Sequence, residues 1–139
     1  IEENLRVGGQ FIEKSALKTR MEELYGYFPD LATRRGTLGG ALSGGQRKML
    51  GIAKALASSP KLLVMDEPSL GLSPKLIDEY FDTVARIHAA GRTVLLIEQN
   101  AEKALSIADR GYLLVRGRVA VEGTRAQMLA DDTIQHMYL

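Results

Sequence analysis

Leu62-Leu63-Val64-Met65-Asp66-Glu67-Pro68 decides the fold. Four apolar residues run together without alternation, the pattern of a strand covered on both faces, and the run stops at two adjacent carboxylates. Downstream, residues 75–90 take a helical period that places Leu76, Ile77, Tyr80, Phe81, Val84 and Ile87 inside, with Gly91 suited to the C-terminal cap. Thr93–Glu98 is a second strand built like the first, and Asn100 is placed to cap a helix over 101–109. Strand, helix, strand, helix from 61 to 109 predicts a parallel α/β unit. Beyond it, Tyr112–Val115 and Arg118–Val121 flank Arg116-Gly117 as a hairpin, and Thr124 with Gln127 has capping-box spacing for a last helix. Upstream, residues 1–28 read as one helix, with Ile12, Ala16, Met21, Leu24, Tyr25 and Phe28 along a stripe and Pro29 ending it. A basic, Gly-rich loop spans Arg34–Gly45, and a second helix runs from about Gly44 to Ser58 with Met49, Ile52, Ala53 and Leu56 inward. The expected division is a helical piece over 1–58 and a strand-bearing piece over 59–139.

Composition narrows the classes. The 139 residues carry 18 Lys+Arg against 17 Asp+Glu, a formal net charge of +1. Residues 1–60 hold 9 basic and 6 acidic groups and the remainder 9 and 11, so neither half offers the basic face that nonspecific nucleic-acid binding wants. Leu, Ile, Val and Phe make up about 27% of the chain, above the roughly 20% associated with disorder. Zero cysteines removes disulfides, thiolate metal sites and cysteine nucleophiles, and suits an intracellular setting. The longest apolar runs are four residues, far from the ~20 that span a bilayer.

Two stretches carry chemistry. Leu42-Ser43-Gly44-Gly45-Gln46 lies where a Gly-rich loop becomes a helix. Free N–H groups and the macrodipole make a helix start an anion site, glycines let a phosphate approach, and the Ser43 hydroxyl adds a donor. Twenty residues later, Asp66 and Glu67 sit beyond the carboxyl end of a strand, where open parallel sheets collect ligands. Asp66 suits Mg²⁺, which keeps several waters beside one or two carboxylates, and Glu67 suits a general base for an attacking water.

The two stretches together, in this order and spacing, resemble the ATP-binding cassette ATPases. Leu42–Gln46 matches that family's signature motif and Leu62–Glu67 its Walker B strand with the catalytic Glu. The resemblance implies a P-loop NTPase-type α/β core, here incomplete, with the family's helical subdomain at 1–58. It also implies ATP and Mg²⁺ as ligands, a second ATPase subunit and transmembrane permease subunits as partners, and a peripheral place at the cytoplasmic face of the membrane. Ser43, Gly44, Gly45 and Gln46 would bind the nucleotide of the opposite subunit, Asp66 the metal, and Glu67 the attacking water. Gln99 falls where most members place a switch His that contacts the γ-phosphate. Gln can donate a hydrogen bond but cannot titrate near neutral pH, so the position can sense phosphate but cannot shuttle protons. Ser73 stands where an Asp is usual near the end of the loop after Walker B.

Glu67–Pro74, Ile97–Ala101, Glu2–Leu5 and Leu24–Pro29 are similar to the ATPase subunits of branched-chain amino-acid importers, with urea or amide importers sharing much of the wording. A nontransport DNA-repair or translation ATPase is disfavoured by near-zero charge and by the lack of a long coiled-coil insertion. No Gly-x-x-x-x-Gly-Lys-Ser/Thr loop occurs in the chain, and the family carries it upstream. The chain therefore reads as a C-terminal fragment, expected alone to be inactive toward ATP and prone to self-association, with a nonenzymatic binding module as the alternative. His88 and His136 have no ligand-spaced partner. Arg34-Arg35 and Arg47-Lys48 read as solvated face, and Tyr25, Tyr27 and Phe28 as core.

Overall fold

The structure is a computed structural model that describes the backbone of residues 1–138 and the side chains of residues 1–136. The elements in order are α1 (Glu2–Gly8), α2 (Lys14–Tyr27), α3 (Pro29–Ala32), a 3-10 turn at Gly39–Ala41, α4 (Gly44–Ala57), β1 (Leu62–Asp66), α5 (Pro74–Ala89), β2 (Thr93–Ile97), α6 (Ala101–Ile107), β3 (Arg110–Val115), β4 (Arg118–Thr124), α7 (Arg125–Leu129) and α8 (Asp132–Tyr138). Contacts divide the chain into two compact units, Ile1–Leu95 and Leu96–Leu139. The helical piece 1–58 thus shares a unit with β1 and α5, tied by the Arg86 guanidinium donating to Gly26 O (2.9 Å) and by the Tyr80 hydroxyl donating to Met65 Sδ (3.4 Å).

The expected single helix over 1–28 is two. Gly8 and Gly9 lie where α1 crosses α4 so closely that a Cβ on Gly8 would sit 2.3 Å from Lys54 O. That approach requires glycine, and the chain breaks there before α2 begins. Pro29 likewise opens α3 instead of simply ending α2, since its missing N–H is no loss at a helix start. The core of this unit is built from Leu5, Leu24, Leu31, Leu56, Tyr80, Val84 and Ile87, all 2% exposed or less. Phe28 and Tyr25 join it and Tyr27 is half-buried, whereas Ala16 faces solvent. Arg20 is buried among them, its Nε and Nη2 both donating to Leu56 O near the C-terminus of α4 (3.2 and 2.6 Å).

β1 and β2 are neighbours in a two-stranded parallel sheet, with Thr93 N–H donating to Lys61 O where both strands begin. Coverage on both faces is not what the strands have. β1 alternates, with Leu63 and Met65 buried against the helices and Leu62 and Val64 about half exposed, and in β2 Leu95 and Ile97 are similarly bare. The apolar run states what both faces can bury, and these residues supply cover for one.

The second unit is a hairpin with three short helices. Arg116 and Gly117 take positive φ (49° and 74°), a two-residue turn that matches strand twist, and β3 pairs antiparallel with β4 as Arg110↔Thr124 through Val115↔Arg118, with a bulge at Leu113/Leu114. Thr124 and Gln127 form the expected capping box at α7, and Asn100 Oδ1 accepts from Lys103 N–H at α6 (3.2 Å). Leu105, Met128 and Ile134 make its small core against Leu113 and Val121.

Candidate phosphate and metal site

Ser43 is the N-cap of α4. Its Oγ accepts from Gln46 N–H (3.2 Å) while Gln46 Oε1 accepts from Ser43 N–H (3.0 Å), closing a capping box. Because Oγ accepts inward, its own hydrogen is directed away from the cap and is free to donate outward. The N–H groups of Gly44 and Gly45 have no acceptor among the described residues, so the first turn presents donors at the positive end of a 14-residue helix. Gly44 opens onto space, with nothing within 4 Å of a built Cβ. Gly45 does the opposite: it is buried, and a Cβ there would lie 2.5 Å from Leu76 Cδ1 and 3.4 Å from Leu72 Cδ2. One glycine serves approach from outside and its neighbour serves packing within.

That packing seats the start of α4 against the loop after β1. Asp66 ends the strand as an exposed carboxylate, and Glu67 follows, half-buried, at φ +42°. A non-glycine residue in the left-handed region before a proline is uncommon, and such conformations gather at functional sites. Lys48, two residues beyond the motif, donates from Nζ to Pro68 O (3.0 Å) and to Leu70 O. Through Gly45 and Lys48, α4 therefore touches the loop that follows Glu67. Gln99 lies in the other unit, exposed, in the link between β2 and α6, with its carbonyl accepting from Ala101 N–H (2.9 Å).

Among the described residues no three acidic or histidine side chains cluster as an all-protein metal site. A single exposed carboxylate at Asp66 fits Mg²⁺ nonetheless, because that ion takes one or two carboxylates and completes its shell with water and substrate phosphates. His88 has a structural role, its Nδ1 3.1 Å from Arg92 O.

The basic pairs are not simply solvated. Arg35 forks onto Glu22 (2.6 and 2.9 Å) and lies 4.0 Å over the Tyr25 ring, and this partner is the first reason that the Glu22 carboxyl is held below its ordinary value of 4.5. Arg47 donates to Leu42 O (2.6 Å), bracing the residue before the cap. Sequence reading missed Lys48 and Arg20. An arginine at the i−4 position to Leu24 inside an apolar stripe was a usable signal for Arg20, whereas nothing in the spacing marks Lys48.

The structure thus offers a capped, glycine-led helix start that packs on the loop leading away from a strand-end carboxylate pair. The ABC transporter family profile matches residues 1–70, and the chain belongs to the ABC transporter ATPase family. Its relatives include the high-affinity branched-chain amino acid transport ATP-binding protein BraG of Pseudomonas aeruginosa, 42% identical over all 139 residues and 60% of the relative's length. The probable branched-chain amino acid transport ATP-binding protein LivF of Archaeoglobus fulgidus is 38% identical over 99% of this chain and 58% of that protein. The lipopolysaccharide export system ATP-binding protein LptB of Escherichia coli K12 is 31% identical over 76% of this chain and 44% of that one. Among solved structures, the ATP-binding cassette MJ1267 of an ABC transporter superposes with a TM-score of 0.75 at 30% identity, covering 92% of this chain and 51% of that chain. The chain thus spans about three-fifths of the length of the BraG and LivF relatives.

Proposed function

We propose that this chain is part of the ATP-hydrolysing, energy-coupling subunit of an ABC importer for branched-chain amino acids. What supports the substrate class is the 42% identity to BraG over all 139 residues. Residues 1–58 serve as the helical subdomain and 59–139 as the C-terminal part of the ATPase core. The full-length subunit pairs with a second ATPase subunit and with transmembrane permease subunits, and sits peripherally at the cytoplasmic face. No helix among the described residues is long and apolar enough to cross a membrane.

Each residue has a task that its position allows. The Ser43 hydroxyl and the Gly44 and Gly45 N–H groups donate to the γ-phosphate held by the opposite subunit. Gln46 keeps the first turn in register through its reciprocal bond with Ser43. Asp66 is the residue that would hold Mg²⁺, which when bound neutralises charge on the phosphates. Glu67 takes the proton of the attacking water, and Gln99 reports the γ-phosphate by donating a hydrogen bond without titrating. The β/γ-phosphate cradle comes from outside the 139 residues, so hydrolysis is assigned to the full-length subunit. There, Glu67→Gln should cut turnover by ~10²–10⁴-fold while ATP binding persists. Hydrolysis by that variant at the wild-type rate would remove Glu67 from the reaction, and a full-length subunit that hydrolyses no ATP would overturn the proposal.

A further inference from the structure

We infer that Lys48 is a positioning residue that ties the signature helix to the catalytic loop of its own chain, so that the start of α4 sets where Glu67 stands. This rests on the ATPase reading above and deepens it. Lys48 lies on α4 one turn after the cap, and its ammonium reaches the carbonyls of Pro68 and Leu70, the first and third residues after Glu67. An ammonium with three donors, half-buried and holding two carbonyls, fixes the path of the loop. The loop needs fixing. Glu67 is a non-glycine residue at φ +42°, and such a conformation persists only where its surroundings over-determine it.

The same joint has a second contact. Gly45 abuts Leu72 and Leu76, at the far end of the loop and on the first turn of α5. Leu72 N–H in turn donates to Ser69 O and Leu70 N–H to Glu67 O (3.1 and 3.2 Å), so the loop is a pair of tight turns gripped from one side by α4. Lys48 holds its near half and Gly45 rests on its far half. A tilt of α4, as when an anion draws on Ser43 and Gly44, pulls the carbonyls on either side of Ser69 and rotates Glu67 with them. The helix that serves one nucleotide site thereby registers with the base that serves the other.

The test uses the full-length subunit with Lys48→Met, which keeps the aliphatic stem and removes the donors, alongside Lys48→Arg and Glu67→Gln. Lys48→Met should lower kcat on the order of 10²-fold, the scale of misplacing a reacting group by about 1 Å, while the KM for ATP and the melting temperature stay put. Lys48→Arg should restore most of that loss. If Glu67→Gln is dead and Lys48→Met turns over at the wild-type rate, the tie is overturned and the ATPase reading stands. Parallel losses of kcat, ATP affinity and melting temperature would make Lys48 a structural residue and also overturn it. An active Glu67→Gln would remove Glu67 as the base and the tie with it, whereas a wild-type subunit that hydrolyses no ATP would overturn the ATPase reading itself.

Discussion

Two adjacent glycines at the start of α4 should answer the same substitution in opposite ways. A Cβ on Gly45 lies 2.5 Å from Leu76 Cδ1, about 1 Å inside the ~3.5–4.0 Å of an ordinary carbon contact. The obstructing methyl is the end of a half-buried side chain, so Leu76 can swing aside at the ~0.5–1.5 kcal/mol of an off-rotamer position, with overpacking costs reaching ~1–3 kcal/mol. Alanine returns up to ~1 kcal/mol of helix propensity, less in a first turn. Gly45→Ala should therefore destabilise by about 1 kcal/mol. Gly44→Ala meets nothing within 4 Å and should be neutral or gain a few tenths of a kcal/mol. If Leu76 is the cause, Gly45→Ala in a Leu76→Ala background loses its cost, and the pair couples by ~0.5–3 kcal/mol. Urea denaturation followed by far-UV circular dichroism measures all five proteins, the wild type, three single variants and the double variant. Equal effects at the two glycines, or additivity with Leu76→Ala to within about 0.3 kcal/mol, would refute the packing role given to Gly45.

The Tyr25 hydroxyl is buried without a hydrogen-bond partner among the described residues, so Tyr25→Phe should be neutral or stabilise by about 1 kcal/mol, and a clear loss would mean that the hydroxyl is satisfied. Burial, chiefly, raises that hydroxyl above its ordinary 10.0, so the wild type is unpenalised below that value and loses stability as pH climbs through the raised one; between about pH 9 and about pH 11 the urea midpoint should fall more in wild type than in Tyr25→Phe. In the full-length subunit, Ser43→Arg should abolish cooperative hydrolysis with little change in the nucleotide affinity of the isolated monomer. A loss of monomer affinity as large as the loss of turnover would contradict action on the opposite chain.

Much of this architecture could be read locally. Ser43 with Gln46 and Thr124 with Gln127 announce their helix starts through a four-residue pattern, and Arg116-Gly117 announces its turn through two residues. Asp66 and Glu67 drew a chemical reading because a carboxylate pair at a strand end needs a reason, and the structure does place them at the end of β1. What stayed hidden depended on partners far away in sequence. The break at Gly8–Gly9 answers to Lys54, the one-sided cover of β1 to what lies over each face, and the reach of Lys48 to carbonyls twenty residues on. Backbone oxygens leave no trace in residue identities, so a cation that seeks one reads as solvated face.

That last feature shapes how the protein tolerates change. Arg20 grips Leu56 O, Lys48 grips Pro68 O and Leu70 O, Arg86 grips Gly26 O, and Arg92 grips Ser59 O and Pro60 O. Every amino acid brings the same carbonyl, proline included. Leu70 is 64% exposed and a Cβ on Gly26 would meet nothing within 4 Å, so either could be exchanged without touching the oxygen that is held. The donor side has no such freedom, because only a long cationic side chain spans the gap. Where the acceptor residue is exposed, as at Leu70 and Gly26, the joint is thus vulnerable to mutation at its donor end alone, and the acceptor residue is left free to drift toward whatever surface a partner requires.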